Sequence, residues 1–366
     1  MLTQSPQKLV CARMPLLAIC LLAMFASLAP AQYVQVNLVA NRRDPHLHAM
    51  RIDPNLINSW GLAFSATSPC WTSNEGTGTS TLYRHFGQRV ALVVTVPPAA
   101  GTGTGKPTGI VQNSTGSTTS FVVSAGGKSG AAAFIFATLD GTISGWNPNV
   151  NATKAIIAVD NSSSQAVYTG LAIASTSSAN FLFAADARNN RVDVFDGTFT
   201  NVGELTDPSI PSGFTPYGVQ AIKGQIYVTY ASLTKAGGFV DVFNTDGTFV
   251  KTLVSDNSGA HLNQAWGLAM APANFGKFSN DLLVGNVKDG LINAFDPSTG
   301  AFLGWLSLPS GKAITISGLW ALKFGGGSVN NGKTNQLFFT AGPNNFADGL
   351  LGMIFPIGAN SPGLAP

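Results

Sequence analysis

The sequence predicts an all-β fold, a six-bladed β-propeller with four strands in each blade, and three observations support this prediction. The first is a short phrase that returns about every 50 residues. The second is the period-two alternation of apolar residues between its copies, which is typical of strands with a buried face. The third is a last unit that lacks one strand, which the other end of the chain can supply.

The repeated phrase marks the start of each unit. It consists of a small or aromatic residue, a glycine and alternating apolar residues, as in Trp60-Gly61-Leu62 and Trp266-Gly267-Leu268. A period near 50 residues with strand-like content is typical of a small sheet that is repeated radially around an axis. The six motif glycines are Gly61, Gly109, Gly170, Gly218, Gly267 and Gly318.

The third unit shows the four strands of one blade most clearly. Residues 171–174 are predicted as the inner strand, 180–186 as the second strand, 191–197 as the third and 199–205 as the fourth. The pair Asp196-Gly197 is a favourable turn between the last two strands. The other units fit the same template, so each is expected to form one blade.

The chain termini are expected to close the ring together. The last unit ends with a strand pattern from Gly349 to Phe355, and a Gly- and Pro-rich tail follows it. The alternating segment Tyr33 to Val39 precedes the first unit and can supply the missing fourth strand. Such closure removes an exposed sheet edge. In the long second unit, the insert within residues 114–130 is expected to form surface loops or an extended hairpin.

Residues 1–31 have the composition of a secretory signal peptide. Lys8 and Arg13 give a positive start, residues 16–25 form a short apolar core, and Ala29-Pro30-Ala31 offers a cleavage site. The core is shorter than the ~18 residues of a membrane span, although an uncleaved anchor is the alternative. We therefore expect an exported chain, periplasmic or extracellular, that does not span a membrane after cleavage. The predicted divisions are a signal peptide at 1–31, a propeller at 32–357 and a disordered tail at 358–366.

Charge and cysteine content exclude several classes of partner. Charged residues make up 10% of the chain, the net charge is +3, and no basic patch or tail is present. Nucleic acid and anionic membranes are therefore not expected as partners, and a monomer is expected. Cys11 and Cys20 leave with the signal peptide, so no intrachain disulfide can form. The remaining Cys70 is expected to be a buried small apolar residue.

Two segments carry a resemblance to known repeats. Residues 185–195 resemble an NHL-type repeat. Residues 55–64, followed by 76–83, resemble an uncharacterised family of exported bacterial six-bladed propellers, some of which carry a PEP-CTERM sorting signal. That family usually has Asp-Asn where this chain has Asn74-Glu75. The resemblance implies the fold and export, and it transfers no activity.

Candidate ligand-binding residues lie where the chain should reach one mouth of the central channel. The starts of the inner strands and the turns after the second strands contribute to such a mouth. Aromatic residues there could line a sugar or peptide groove, or they could pack between blades. The predicted mouth residues are Asn58, Trp60, Glu75, Asp186, Tyr217, Trp266, Asn286 and Asn344.

Three of these residues form a candidate metal site. Glu75, Asp186 and Asn286, with Asn344 as a further donor, offer the hard oxygen atoms that Ca²⁺ prefers. The alternative is that the Asp and Asn side chains cap turns through hydrogen bonds to the backbone, and their frequency in turns favours it. Glu75 is the exception, because the chain has only two glutamates.

The leading functional hypothesis is an exported, non-enzymatic propeller that binds a protein, peptide or glycan at the channel mouth. Few catalytic residue types accompany a complete repeat framework, and the fold alone does not imply a function. The alternative is a metal-assisted hydrolase or lyase of lactone or ester substrates that uses Glu75, Asp186 and Asn286. No catalytic residue is assigned, and no cofactor is predicted apart from Ca²⁺ under this alternative.

Overall fold

The computed structural model describes Met1 and residues 32–357, so the predicted tail and all but the first residue of the predicted signal peptide lie outside the described residues. Five sheets of four strands and one of five strands are arranged as the blades of a propeller. The described residues also include three short 3-10 helices and no α-helix. A helix that could cross a bilayer is not found among them. The predicted fold class is confirmed.

The first three blades follow two strands that precede them in the chain. These two strands are β1 (Tyr33–Ala40) and β2 (Arg51–Ile52). Blade 1 contains β3 (Ser59–Ala63), β4 (Cys70–Asn74), β5 (Thr79–Arg84) and β6 (Gln88–Thr95). The second unit contains β7 (Pro107–Gln112), β8 (Val122–Ala125), β9 (Lys128–Ala131), β10 (Phe134–Thr138), β11 (Thr142–Trp146) and β12 (Ile156–Asp160). Blade 3 contains β13 (Tyr168–Ser175), β14 (Asn180–Asp186), β15 (Arg191–Asp196) and β16 (Asn201–Leu205).

The last three blades repeat the same order of strands. Blade 4 contains β17 (Thr215–Ile222), β18 (Gln225–Ala231), β19 (Gly238–Asn244) and β20 (Phe249–Asp256). Blade 5 contains β21 (Ala265–Met270), β22 (Leu282–Asn286), β23 (Ile292–Phe295) and β24 (Phe302–Trp305). Blade 6 contains β25 (Leu319–Phe324), β26 (Leu337–Ala341) and β27 (Leu350–Pro356). The 3-10 helices are His85–Gly87, Ser162–Ser164 and Gly276–Phe278.

The N-terminal strand closes the ring as predicted. β1 pairs antiparallel with β27, from Tyr33 opposite Pro356 to Ala40 opposite Leu350, and β2 extends this sheet at its edge. The buried Tyr33 hydroxyl also donates to the Phe275 carbonyl oxygen at 2.9 Å, which joins blade 6 to blade 5. The first and last parts of the described chain are therefore held in one sheet.

Local chemistry sets the limits of the strands in blade 3. β14 and β15 agree with the prediction, and Leu182 lies opposite Phe195 in their pairing. The fourth strand begins at Asn201 rather than at Phe199, because Phe199 adopts a left-handed φ of 63° in the preceding turn. In the second unit, β8 and β9 form a separate hairpin, as one of the two expected arrangements of the insert.

The motif glycines are required where the inner strands of neighbouring blades meet. A Cβ atom on Gly61 would lie 2.5 Å from the Thr108 carbonyl oxygen, and one on Gly218 would overlap the Trp266 carbonyl oxygen. Such distances leave no space for a side chain, so the backbones touch. The space enclosed by the inner strands is about 30 Å³, close to the volume of a single water molecule.

The prediction that Gly318 is the sixth motif glycine is wrong. Ala321, and not Gly318, lines the channel with Gly61, Gly109 and Gly267. Gly318 instead lies just before β25 with a φ of 66°, against the backbone of Gly342. The equivalent phrase is therefore Trp320-Ala321-Leu322, in which a methyl side chain replaces the glycine hydrogen.

We predict that Gly218→Ala lowers the free energy of unfolding by about 1–3 kcal/mol, because the added methyl group forces blades 4 and 5 apart. The matched control is Gly203→Ala on the exposed strand β16, where no atom lies within 4 Å of the added methyl group. The control should change stability by less than about 0.5 kcal/mol. Urea denaturation of both variants measures the difference, and equal effects would contradict the close-approach argument.

Cys70 is buried in β4, as expected, and burial raises the pKa of its thiol to about 12. The thiolate is the reactive form of cysteine, so it is scarce at neutral pH. We predict that, in a Cys11→Ser/Cys20→Ser variant whose remaining thiol is that of Cys70, a thiol reagent such as DTNB does not label the native chain at pH 8 and labels it after denaturation in guanidinium. Rapid labelling of native Cys70 would show that blade 1 opens on the timescale of the assay.

Candidate functional site

One mouth of the channel is lined by two rings of residues to which every blade contributes. The lower ring comes from the residues that precede the motif glycine or its equivalent, and the upper ring comes from the ends of the second strands. The lower ring is Trp60, Thr108, Thr169, Tyr217, Trp266 and Trp320. The upper ring is Glu75, Leu139, Ala187, Ala231, Val287 and Gly342.

Four aromatic residues of the lower ring, Trp60, Tyr217, Trp266 and Trp320, form what we call the aromatic cluster. The Trp60 ring stacks on Trp320 with centroids 3.6 Å apart. Tyr217 and Trp266 meet Trp60 edge-on at 6.3 and 6.2 Å. The two edge-on contacts have a geometry that is favourable for aromatic pairs, whereas Trp60 and Trp320 lie almost face to face. Together the rings cover the narrow channel. Packing across the channel therefore accounts for part of the aromatic signal in the sequence.

Hydrogen bonds fix two of the three indoles. The Trp266 indole donates to the Thr169 carbonyl oxygen at 2.9 Å, and the Trp320 indole donates to the Asn58 side-chain oxygen at 2.9 Å. The Trp60 indole nitrogen is buried and has no hydrogen-bond partner among the described residues. Such a buried donor is costly to leave unpaired.

Asn58 connects Glu75 to the aromatic cluster. Its side-chain nitrogen donates to Glu75 Oε2 at 2.9 Å, and the Glu75 backbone N–H donates to the Asn58 carbonyl oxygen at 3.1 Å. Asn58 is buried and has a left-handed φ of 43°, a conformation that Asn tolerates better than most residues. Glu75 thus orients Trp320 through Asn58, and this network brings two predicted mouth residues together with the aromatic cluster.

A pocket of about 470 Å³ opens beside the aromatic cluster, toward blades 2, 3 and 4. We call it the mouth pocket. Its apolar lining is provided by Trp60, Leu139, Val167, Tyr217, Ala231 and Leu233, and its polar lining by Thr169, Arg188, Thr215, Ser232 and Thr234. Burial raises the pKa of the Tyr217 phenol, so this side chain stays neutral. No carboxylate is among the described residues that line the pocket.

Asp186 caps its own turn and does not reach Glu75. One carboxylate oxygen accepts the backbone N–H groups of Val167, Arg188 and Asn189, and the other accepts the Asn189 side-chain amide at 2.7 Å. This is the turn-capping alternative for a predicted mouth residue. In the chain, Asp186 directly precedes the upper-ring residue Ala187, and successive strand residues face opposite sides.

Asn286 and Asn344 are also bonded within their own blades. The Asn286 amide donates to the His261 carbonyl oxygen at 3.0 Å, while its side-chain oxygen is buried without a partner among the described residues. The Asn344 amide donates to Asp348 at 3.4 Å. Within the described part of the chain, no three His, Cys, Asp or Glu side chains are grouped as metal ligands. The Ca²⁺ site at Glu75, Asp186 and Asn286 stays a prediction that these contacts do not favour.

The sequence analysis missed two aromatic residues of the mouth, Trp320 and Phe346. Phe346 lies in the loop after β26, and its ring centroid is 5.5 Å from that of Trp320. Three successive residues of this loop, Asn344, Asn345 and Phe346, have left-handed φ values of 55°, 51° and 66°. Trp320 is missed when the sixth motif is placed at Gly318. With Ala321 at the motif position, Trp320 directly precedes it and belongs to the lower ring.

We predict that Asn58→Asp destabilises the chain by about 1–3 kcal/mol, because a second carboxylate then faces Glu75 with no proton to share. Adding Glu75→Gln restores a donor toward that carboxylate and keeps the acceptor for the Trp320 indole. The double variant should therefore regain most of the lost stability. Thermal or urea unfolding of the two single variants and the double variant measures the coupling, and purely additive effects would exclude it.

Comparison with known proteins places the chain beside two viral proteins. The "Uncharacterized protein R648" of Acanthamoeba polyphaga mimivirus is 32% identical over 336 residues, which cover 87% of this chain and 78% of R648. The "Uncharacterized protein L690" of the same virus is 29% identical over 336 residues, covering 87% of this chain and 84% of L690. No protein-family model matches the chain.

Two solved structures share the architecture. A gluconolactonase from Xanthomonas campestris has a TM-score of 0.53 and 13% identity, covering 90% of this chain and 91% of its own. Virginiamycin B lyase from Staphylococcus aureus has a TM-score of 0.52 and 11% identity, covering 89% and 99%. At these identities the likeness shows the fold alone. The bacterial, exported and NHL-type parts of the predicted resemblance are not confirmed by these comparisons and stay predictions.

Proposed function

Starting from the fact that this chain belongs to the family of the mimivirus protein R648, we propose that it is a binding protein whose protein or peptide partner docks in the mouth pocket. The proposal retains the leading hypothesis from the sequence and narrows the partner to a polypeptide. It includes export directed by residues 1–31, whose composition is that of a secretory signal.

The exposed apolar rim of the mouth pocket is the observation that carries this proposal. Leu233 is 76% exposed at the rim, beside the buried faces of Trp60 and Tyr217. The pocket volume of about 470 Å³ falls in the range of small-ligand pockets, roughly 300–1,000 Å³. An apolar side chain of a partner would cover Leu233 and occupy the pocket. A glycan is less favoured, because none of the described lining residues is a carboxylate that would bind sugar hydroxyls.

Polar groups at the mouth pocket indicate what else the partner presents. The exposed Arg188 guanidinium donates to the Gln165 side-chain oxygen at 3.2 Å, and a guanidinium has five N–H donors in all. No lining carboxylate competes for these donors. A partner with an apolar side chain next to an acidic residue or a chain carboxylate therefore matches the pocket in both shape and charge.

The lyase and gluconolactonase neighbours supply no argument for an enzyme, because one propeller fold hosts many functions. Metal-assisted hydrolysis would need Glu75, Asp186 and Asn286 to act on one ion. Each of these side chains is instead engaged with neighbouring protein groups, Glu75 with Asn58, Asp186 with the backbone of its turn and Asn286 with the His261 carbonyl oxygen.

We predict that selection of a phage-displayed random peptide library on the purified chain enriches sequences with an apolar or aromatic residue beside an acidic one. Leu233→Asp should weaken the binding of an enriched peptide at least tenfold, because it places a charge in the apolar rim. Arg188→Gln should weaken acidic peptides more than their amide counterparts. Fluorescence anisotropy with labelled peptides measures each affinity.

The control for this experiment is Leu303→Asp. Leu303 is 40% exposed on β24, the outer strand of blade 5, and does not line the mouth pocket. This variant should bind the peptides as the unmodified chain does. If no peptide is enriched, and a glycan array shows binding that depends on Leu233, the partner is a glycan and not a peptide. Peptides that bind all three variants equally would exclude the mouth pocket.

A further inference from the structure

Two buried tyrosine–aspartate pairs in this propeller each have an arginine as counter-charge. In blade 1, the Tyr83 hydroxyl donates to Asp53 at 2.9 Å, and Arg89 Nε lies 3.2 Å from the same carboxylate. In blade 3, the Tyr168 hydroxyl donates to Asp193 at 2.7 Å, and Arg191 Nε lies 2.6 Å from it.

These two pairs follow the general rule that a buried carboxylate needs a positive charge or several hydrogen bonds to be stable in its ionised form. Both carboxylates are buried, and in both cases the arginine lies on a strand of the same blade as the tyrosine. In both pairs, a tyrosine hydroxyl and an arginine therefore stabilise the buried aspartate carboxylate.

Blade 4 contains a third carboxylate of this kind without the arginine. The segment Val240-Asp241-Val242-Phe243 repeats Val192-Asp193-Val194-Phe195 of blade 3, and Phe239 stands where blade 3 has Arg191. Asp241 is fully buried, neither of its oxygen atoms has a hydrogen-bond partner, and no ion pair to it occurs among the described residues.

The described side chains around Asp241 carry further oxygen atoms, and none of them carries a positive charge. Thr252 lies directly opposite it on β20, and the Thr252 hydroxyl is 3.4 Å from Asp207 Oδ2. The Tyr230 hydroxyl, in a side chain that is 2% exposed, has no hydrogen-bond partner in the described part of the chain. Burial raises the pKa of Asp241 to about 7, and the nearby Asp207 charge adds to this, while the neighbouring Thr252 and Tyr230 hydroxyls act in the opposite direction. An unpaired polar hydroxyl thus accompanies two adjacent carboxylates.

We propose that Asp207 and Asp241 bind a divalent cation, Ca²⁺ in the first place, with the Thr252 and Tyr230 hydroxyls as neutral oxygen ligands. Two carboxylates balance the charge of a divalent ion, and the ion supplies the positive charge that Arg191 supplies beside Asp193. Ca²⁺ accepts roughly six to eight oxygen ligands in a flexible geometry, and water can complete the set on the side of the partly exposed Asp207.

This cation site differs from the Ca²⁺ site predicted at Glu75, Asp186 and Asn286, with which it shares no residue. It lies where the outer strand of blade 3 leads into blade 4, and the ion would join the two blades. It is also independent of peptide binding in the mouth pocket, so either proposal can fail alone.

The test uses the purified chain after removal of metal ions with EDTA. Isothermal titration calorimetry and thermal unfolding are measured with CaCl₂ and MgCl₂ at pH 7.5. Saturable binding of Ca²⁺, with a melting temperature that rises with its concentration, is the expected result. Asp241→Asn should weaken Ca²⁺ binding at least tenfold. This variant removes an uncompensated buried charge, so it should fold at least as well as the metal-free chain.

The matched control is Asp193→Asn in the arginine-paired site of blade 3, which should lower stability and leave the response to Ca²⁺ intact. Two results would overturn the proposal: that neither Ca²⁺ nor Mg²⁺ binds, or that Asp241→Asn binds Ca²⁺ as tightly as the unmodified chain. A proton is the competing occupant. In that case the melting temperature of the metal-free chain would fall as the pH rises toward about 7, with no response to Ca²⁺, and this result would also overturn the cation site.

Discussion

The contact between bare backbones of neighbouring inner strands is the constraint on which this propeller depends. A Cβ atom on Gly109 would overlap the backbone of Leu171, and one on Gly267 would overlap the Trp320 carbonyl oxygen. Because the middle of the channel holds only about 30 Å³, the large side chains that precede these glycines have space only at the mouth. The aromatic cluster is therefore a consequence of the same close approach that sets the ring of blades.

Hydroxyl groups next to these contacts join the blades to one another. Thr108 donates to the Tyr168 carbonyl oxygen at 2.6 Å, and Thr169 donates to that of Tyr217 at 2.7 Å. The inner-strand side of the mouth pocket, with Thr169 and Tyr217, is tied in this way, while its rim includes the loop residues Ser232, Leu233 and Thr234. The preformed inner-strand side favours affinity, because binding orders few groups there.

The repeat period and the alternation of apolar residues were sufficient to predict the blades, the closing strand and the burial of Cys70. They were not sufficient to predict the face on which a polar residue lies, because a shift of one position reverses the face of a strand. Asp186 and Ala187 are adjacent, yet Ala187 lines the mouth pocket while Asp186 caps a turn. The pocket itself depends on segments of several blades, and no local pattern in the sequence reports how such segments meet.

One position on the third strand of each blade shows how the repeat tolerates buried polarity. Its neighbours in the strand are apolar, but the position itself holds Asp193 in blade 3, Asp241 in blade 4 and Asn293 in blade 5. Asp193 is paired with Arg191, and the Asn293 amide donates to the His261 carbonyl oxygen. A buried amide needs only such a carbonyl, whereas a buried carboxylate needs a positive charge or several hydrogen bonds, as Asp186 has. Asp241 differs from its equivalents in having neither, so the proposed cation site arises from one strand position and not from the fold as a whole.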